Sequence, residues 1–158
     1  AVVAIAQGKY TEARDLVRRS LVIARGIGQQ VDVGWGLGIL GIAAYFLGDL
    51  AQARSGLSGA LRAAIKYRIE LMLQYALSGT ALLLTEAGDA QRAVEIYALA
   101  ASQLSHVANS RWFEDVIEKH IAATAATLAP DVVAAAQERG RALGLWDTAE
   151  ELLAELSA

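Results

Sequence analysis

The stretch Gly48-Asp-Leu-Ala-Gln-Ala53 decides the fold, because its pattern occurs again 40 residues earlier and 40 residues later. The earlier copy is Gly8-Lys-Tyr-Thr-Glu-Ala13, and the later copy is Gly88-Asp-Ala-Gln-Arg-Ala93. Beyond these phrases the same register continues through Val17, Leu57 and Tyr97, then Ser20, Ala60 and Ala100. A fixed period of this size is typical of stacked helical repeats, in which each unit buries its apolar face against the next. The sequence therefore predicts an all-α repeat architecture.

Each unit is predicted to fold as two antiparallel helices joined by a short turn. The repeated glycine should end the first helix, because a residue without a Cβ adopts the left-handed C-cap conformation at least cost. Asp49, Asp89 and Thr11 stand where the second helix begins, and their side-chain oxygens suit an N-cap. Pro130 is expected in the first turn of a later helix. After the tail of a first helix at 1–7, the pattern predicts helices over about 11–25, 31–47, 50–67, 70–87, 90–106, 111–128, 131–142 and 146–157.

The chain is expected to be one domain, made of repeats at about 1–28, 29–68 and 69–108 and a modified C-terminal cap at 109–158. The register weakens in the cap, since position 128 is Leu128 rather than glycine. The phrase Gly144-Leu-Trp-Asp-Thr-Ala149 restarts the pattern 56 residues after Gly88. At the other end, the first repeat lacks most of its leading helix. We therefore expect the sequence to be a fragment of a longer protein.

Composition narrows the range of functions. The chain has no cysteine, which excludes thiol catalysis, disulfides and thiolate metal sites. No uninterrupted apolar run reaches the ~18 residues needed for a membrane span, and the apolar start lacks the basic leader of a signal peptide. We therefore expect a cytoplasmic protein without membrane contact. The net charge is −3, and acidic residues interrupt the densest arginine group, which favours a solvated helix face over nucleic-acid binding; that group is Arg14, Arg18, Arg19 and Arg25 with Glu12 and Asp15.

No motif indicates an enzyme, a cofactor site or a metal site. Gly36-Leu-Gly38-Ile-Leu-Gly41 has the spacing of a dinucleotide-binding fingerprint, but it lies inside a helical run and lacks the preceding strand. We interpret its glycines as positions where neighbouring helices approach closely. Glu114 and Glu118 share a helix face, where a solvated acidic surface is favoured over metal binding. His106 is expected at a helix end, where a cation interacts favourably with the helix dipole.

The repeated phrases resemble tetratricopeptide repeats, in which a glycine precedes the second helix and alanines and large residues follow it. Leu40-Gly41 resembles the Leu-Gly pair of that family's first helix. The period exceeds the usual ~34 residues, and the proline that closes each family repeat is absent at Arg25, Ile65 and Ser105. The longer variant is similar to the C-terminal regions of large bacterial transcriptional regulators that contain a signal-transduction ATPase. Two segments carry that second resemblance, Asn109-Ser-Arg-Trp112-Phe-Glu-Asp115 and residues 134–153.

The resemblance implies a right-handed superhelix of stacked antiparallel helix pairs, a TPR-like α-solenoid of about eight or nine helices. In such a stack the first helices of the repeats line the concave face. Trp35 and Tyr75 occupy the same position in successive units, as do Tyr45 and Thr85. The predicted partner-binding residues on this face are Trp35, Tyr45, Gln74, Tyr75, Thr85 and Glu86. The alternative for Trp35 and Tyr75 is that they fill the seam between helices.

We therefore expect a protein-interaction or sensor scaffold of a bacterial regulatory protein, which binds a peptide, a protein partner or a small inducer on its concave face. The alternative is a purely structural module that self-associates without a ligand of its own. In that case the truncated first repeat would form a homodimer, because an uncovered apolar face favours association.

Overall fold

The structure is a computed structural model of the chain, and it describes residues 1–104 and 109–158. These residues form helices and turns and contain no β-strand. The first six helices are α1 (Val2–Ala6), α2 (Tyr10–Gly26), α3 (Gln30–Phe46), α4 (Leu50–Tyr67), α5 (Glu70–Glu86) and α6 (Ala90–Gln103). They are followed by α7, which combines Arg111–Phe113, a π-helical turn at Glu114–Glu118 and Lys119–Ala125, and by α8 (Pro130–Ala142) and α9 (Leu145–Ser157).

The predicted helices are confirmed to within three residues at each end that the structure describes. Asp49 and Asp89 cap α4 and α6, where their carboxylates accept the backbone N–H groups of Gln52 at 3.0 Å and Arg92 at 3.3 Å. The predicted cap Thr11 is wrong, because α2 begins one residue earlier and its N-cap is Lys9, which makes no side-chain cap hydrogen bond. The expected helix end at His106 lies outside the described residues.

The repeated glycines end the first helices as expected. Gly8, Gly48 and Gly88 have φ angles of 72°, 77° and 82°, in the left-handed region that favours glycine. Each is followed within two residues by the next helix, so the paired helices fold back on one another. The turn at Gly28, with φ 73°, joins the first unit to the second in the same way. The turn residues therefore set the antiparallel order that the period predicted.

Neighbouring helices pack along the chain, and α3 with α4 form the closest crossing. A Cβ at Gly56 would lie 2.7 Å from the carbonyl oxygen of Leu37, and one at Gly41 would lie 3.0 Å from the backbone nitrogen of Leu57. Gly38 likewise faces Ala60 at 3.3 Å. The glycines of the G-x-G-x-x-G stretch are thus packing positions inside a helix, which confirms our interpretation of them.

The C-terminal helices do not simply continue the stack. Helix α8 packs against α6, whereas α9 returns to lie against α4 and also touches α5 and α6. Arg54 donates to the carbonyl oxygens of Leu156 at 2.9 Å and Glu155 at 2.5 Å, and Arg92 pairs with the Glu155 carboxylate at 2.6 Å. Guanidinium groups at a helix C-terminus satisfy carbonyls that have no partner within the helix. The packing of all nine helices over the described residues is compatible with a helical-repeat fold.

Candidate binding surfaces

The predicted concave-face aromatics lie where the period places them, and they touch their own counterparts. The rings of Trp35 and Tyr75 meet edge to face with centroids 5.8 Å apart. The Tyr45 hydroxyl lies 3.4 Å from the Thr85 hydroxyl oxygen, within hydrogen-bond distance. Both contacts join α3 to α5, so these four side chains line one seam between successive first helices.

Helix α7 covers much of this seam. Tyr75 packs against Trp112 and Phe113 with ring centroids 5.3 Å and 5.1 Å away, and its burial raises the pKa of the phenol. The Trp112 indole N–H donates to the carbonyl oxygen of Val2 in α1 at 3.0 Å. Farther along α7, His120 lies 5.1 Å from the ring of Phe46. Because α7 contacts α1, α3 and α5 at once, the face formed by the first helices is largely closed by the chain itself.

The remaining two predicted site residues lie apart from an open aromatic groove. Gln74 is buried, with 2% of its surface exposed, and its side chain makes no hydrogen bond to the described part of the chain. Glu86 is exposed at the end of α5, in a shallow hollow that Arg54 of α4 also lines. The six predicted residues therefore do not converge on a single open site.

An open apolar groove instead lies between α2 and α3, with a volume of about 400 Å³. One wall is a helical stripe of Leu16, Ile23 and Ile27, whose side chains are 38%, 64% and 67% exposed. The other wall includes Trp35 and Ile39 of α3, and Ala1 lies at one end. Exposed apolar side chains in one continuous groove mark a surface that is suited to a partner.

The same surface exists one repeat later, and there a helix covers it. Shifting the groove residues by 40 positions gives Gly56 and Ala63 on α4 and Tyr75 and Gly79 on α5. Helix α3 lies on these counterparts: a Cβ at Gly34 would lie 2.5 Å from the Ala63 Cβ, one at Gly79 would lie 3.1 Å from Ile42, and Trp35 touches Tyr75. The α2–α3 groove is thus the repeat's helix-binding surface with no helix on most of its length.

A second cavity, of about 300 Å³, lies between α6, α7 and α8. Alanines and aliphatic residues form much of its lining, and four polar side chains reach it from three helices, namely Tyr97, Glu118, Gln137 and Arg141. Sequence analysis missed this site because its residues do not follow the 40-residue register. The α2–α3 groove was within reach of sequence analysis, since Leu16, Ser20, Ile23 and Ile27 recur at helical spacing on one face.

The described residues include no group of three or more histidine, aspartate or glutamate side chains that could hold a metal ion. Within the same residues, no helix is long and apolar enough to cross a membrane. The chain was also compared with protein-family models, curated proteins and solved structures, and it shows no significant match to any of them.

Proposed function

We propose that this chain is a protein-interaction module whose α2–α3 groove binds an apolar helix of a partner protein. The single observation that carries the proposal is that α3 covers the equivalent groove on α4 and α5, while the groove on α2 and α3 remains open. The partner helix would lie antiparallel to α2 and would bury Leu16, Ile23 and Ile27. A helix in a hydrophobic groove is a common mode of recognition, read through side chains three and four positions apart.

The wider context of this proposal comes from the sequence resemblance. The chain would be a TPR-like α-solenoid of right-handed twist, with no catalytic role of its own, within a bacterial regulatory protein. The compatible helix packing supports this, as do the left-handed glycines at the 40-residue positions. The predicted concave-face residue Trp35 keeps a role in the proposal, because it lines the groove wall on α3.

The groove can be tested with the helix that occupies its counterpart. A labelled peptide with the sequence of residues 30–46, carrying added lysines for solubility, should bind the protein saturably. Its glycine-rich face leaves room for Leu16 and Ile23, which are larger than Gly56 and Ala63 in the covered groove. Ile23→Glu should weaken binding at least ~10-fold, because a carboxylate would lose its hydration against the apolar helix. The readout is fluorescence anisotropy.

Val22→Glu is the matched control. Val22 neighbours Ile23 and is 71% exposed, but it does not line the α2–α3 groove. This variant should bind the peptide as the unsubstituted protein does. Equal binding by all three proteins, or no binding by any of them, would overturn the proposal.

The second candidate function is self-association through the same groove, which its exposed apolar side chains also favour. Sedimentation velocity at several concentrations separates the two candidates. A dimer that Ile23→Glu abolishes and Val22→Glu retains would favour self-association. A monomer at every concentration, together with peptide binding, would favour recognition of a partner helix.

A further inference from the structure

The cavity between α6, α7 and α8 has an apolar body and a polar rim. Val94 and Ala98 of α6 and Ile121 and Ala125 of α7 contribute apolar walls. Its volume of about 300 Å³ is at the small end of the range for ligand-binding pockets. The size therefore suits a molecule of a few heavy atoms to about the size of an amino acid, and it does not suit a nucleotide.

Specific contacts hold the walls of this cavity in place. Helix α8 approaches α6 at Gly140, where a Cβ would overlap the carbonyl oxygen of Glu95. Beside this crossing, the Arg139 guanidinium pairs with the Glu95 carboxylate at 2.9 Å. At the far end of α8, the Gln103 side chain donates to the Leu143 carbonyl oxygen at 2.7 Å. These contacts fix α8 and leave the next side chain after Gly140, Arg141, to line the cavity.

A π-helical turn shapes the opposite wall. Residues Glu114–Glu118 of α7 form this turn, and Glu118 at its end lines the cavity. Single π-helical turns are rare, and they occur frequently at functional sites, because the extra residue per turn re-aims the side chains around it. The turn thus brings a carboxylate to a wall that is otherwise built from alanine and isoleucine.

The polar groups of the cavity lack partners. Tyr97 is 8% exposed, yet its hydroxyl makes no hydrogen bond to the described residues. Within residues 1–104 and 109–158, Glu118, Gln137 and Arg141 also form no side-chain hydrogen bond or ion pair, and Glu118 and Arg141 do not pair with each other. A buried hydroxyl without a partner is uncommon in folded proteins, because its desolvation is then uncompensated. Burial, together with the negative charges of Glu118 and Glu114, raises the pKa of Tyr97, so the phenol remains a proton donor.

We propose that this cavity binds a free apolar α-amino acid. The ligand carboxylate would pair with the Arg141 guanidinium, and the ligand ammonium would pair with the Glu118 carboxylate. The Tyr97 hydroxyl would donate a hydrogen bond to the carboxylate, and the ligand side chain would lie against Ala98 and Ile121. Arginine pairs readily with carboxylates through parallel N–H groups, which gives such a contact its orientation. This inference is independent of the proposed function, because no residue of the cavity lines the α2–α3 groove.

The test is a titration of the purified chain with L-leucine, L-isoleucine, L-valine, L-methionine and L-phenylalanine, followed by thermal shift and by calorimetry. At least one of them should bind and raise the unfolding midpoint. N-acetyl-leucine, which lacks the ammonium, and leucinamide, which lacks the carboxylate, should each bind at least ~10-fold more weakly than the free amino acid, because each leaves one charged group of the cavity unpaired.

Variants then assign the contacts. Arg141→Gln and Glu118→Gln should each weaken binding at least ~10-fold, and Tyr97→Phe should weaken it ~3- to 10-fold, as expected for loss of one hydrogen bond. Arg139→Gln is the matched control, because Arg139 is two residues from Arg141 and pairs with Glu95 instead of lining the cavity. It should bind the amino acid unchanged. Circular dichroism verifies that each variant is folded.

Two results would overturn the inference. One is the absence of binding by all five amino acids at 10-millimolar concentrations, on the order of the weakest affinities that ligand pockets show. The other is binding that Arg141→Gln and Glu118→Gln leave unchanged. The peptide experiment on Ile23 gives its own result in either case, so failure of one proposal is distinguishable from failure of the other.

Discussion

Residues 10–86 and residues 109–158 hold their helices together in different ways. In the first region, side chains touch their own counterparts 40 residues away, as Trp35 touches Tyr75 and Tyr45 touches Thr85. In the second region, helices are attached by individual contacts such as Arg139 with Glu95 and Arg54 with the end of α9. The comparison teaches that the repeated region contains its own internal controls, since most positions have an equivalent in the next unit. The C-terminal region has none, and each of its contacts must be tested alone.

The largest expected effect is at the crossing of α6 and α8. Gly140→Ala would place a methyl group on the backbone of Glu95, which cannot move without displacing α6. We expect a loss of about 3 kcal/mol in the free energy of unfolding, measured by urea denaturation. Gly26→Ala is the control, because Gly26 ends α2 with no heavy atom within 4 Å of its added Cβ. A similar loss in both variants would show that the α6–α8 crossing is not specially close.

A smaller effect is expected where α7 attaches to α1. Trp112→Phe removes the hydrogen bond to the Val2 carbonyl oxygen and part of the contact with Tyr75. The free energy of unfolding should fall by about 1–2 kcal/mol. Amide hydrogen exchange at Ile5 should also become faster, because α1 would lose its contact with α7. Trp146→Phe removes an indole that stacks on Arg68 and should leave exchange at Ile5 unchanged. Unchanged exchange in Trp112→Phe would mean that α1 is held by α2 alone.

A modest gain in stability is expected from copying a cap between repeats. Lys9, Asp49 and Asp89 are N-caps 40 residues apart, but only the two aspartates accept a backbone N–H. Lys9→Asp should stabilise the protein by about 0.5–1 kcal/mol, and the reverse change Asp49→Lys should destabilise it by about 1 kcal/mol. Thermal unfolding of both variants measures the pair. A loss of stability in Lys9→Asp would show that the first unit is not equivalent to the second at this position.

The smallest effect concerns the pH dependence of stability. Burial, and to a lesser extent the charge of Lys119, lowers the pKa of His120 in the folded protein below its usual value of 6.5. The unfolded chain therefore binds the proton first as pH falls, and stability should decrease on acidification through this range. His120→Gln removes this contribution, so its unfolding free energy should depend less on pH between about 7.5 and 5. Parallel pH profiles for the two proteins would contradict the prediction.

Sequence predicted the fold where local chemistry repeats. The glycine turns, the caps at Asp49 and Asp89 and the helix spans follow from side-chain properties within a few residues, so the period was enough to predict them. Sequence did not predict that α7 would cover the seam at Tyr75 or that α9 would return to α4. Those placements depend on single contacts between distant residues, such as Trp112 with Val2, which no periodicity encodes. The cavity at Tyr97 was missed for the same reason, whereas the stripe at Leu16, Ile23 and Ile27 could have been found from its spacing.

The return of α9 to α4 has a consequence for how the polypeptide acquires its structure. The bond from Arg54 to the Leu156 carbonyl joins residues 102 positions apart. Ordinary solenoids propagate order between adjacent units, so each unit can become stable as soon as its neighbour exists. Here the outer surface of α4 stays unprotected until almost the last residue has left the ribosome, and closing so long a loop slows folding. Cleavage within the final turns should therefore loosen the second unit of the chain, far away in sequence, rather than only fray one end.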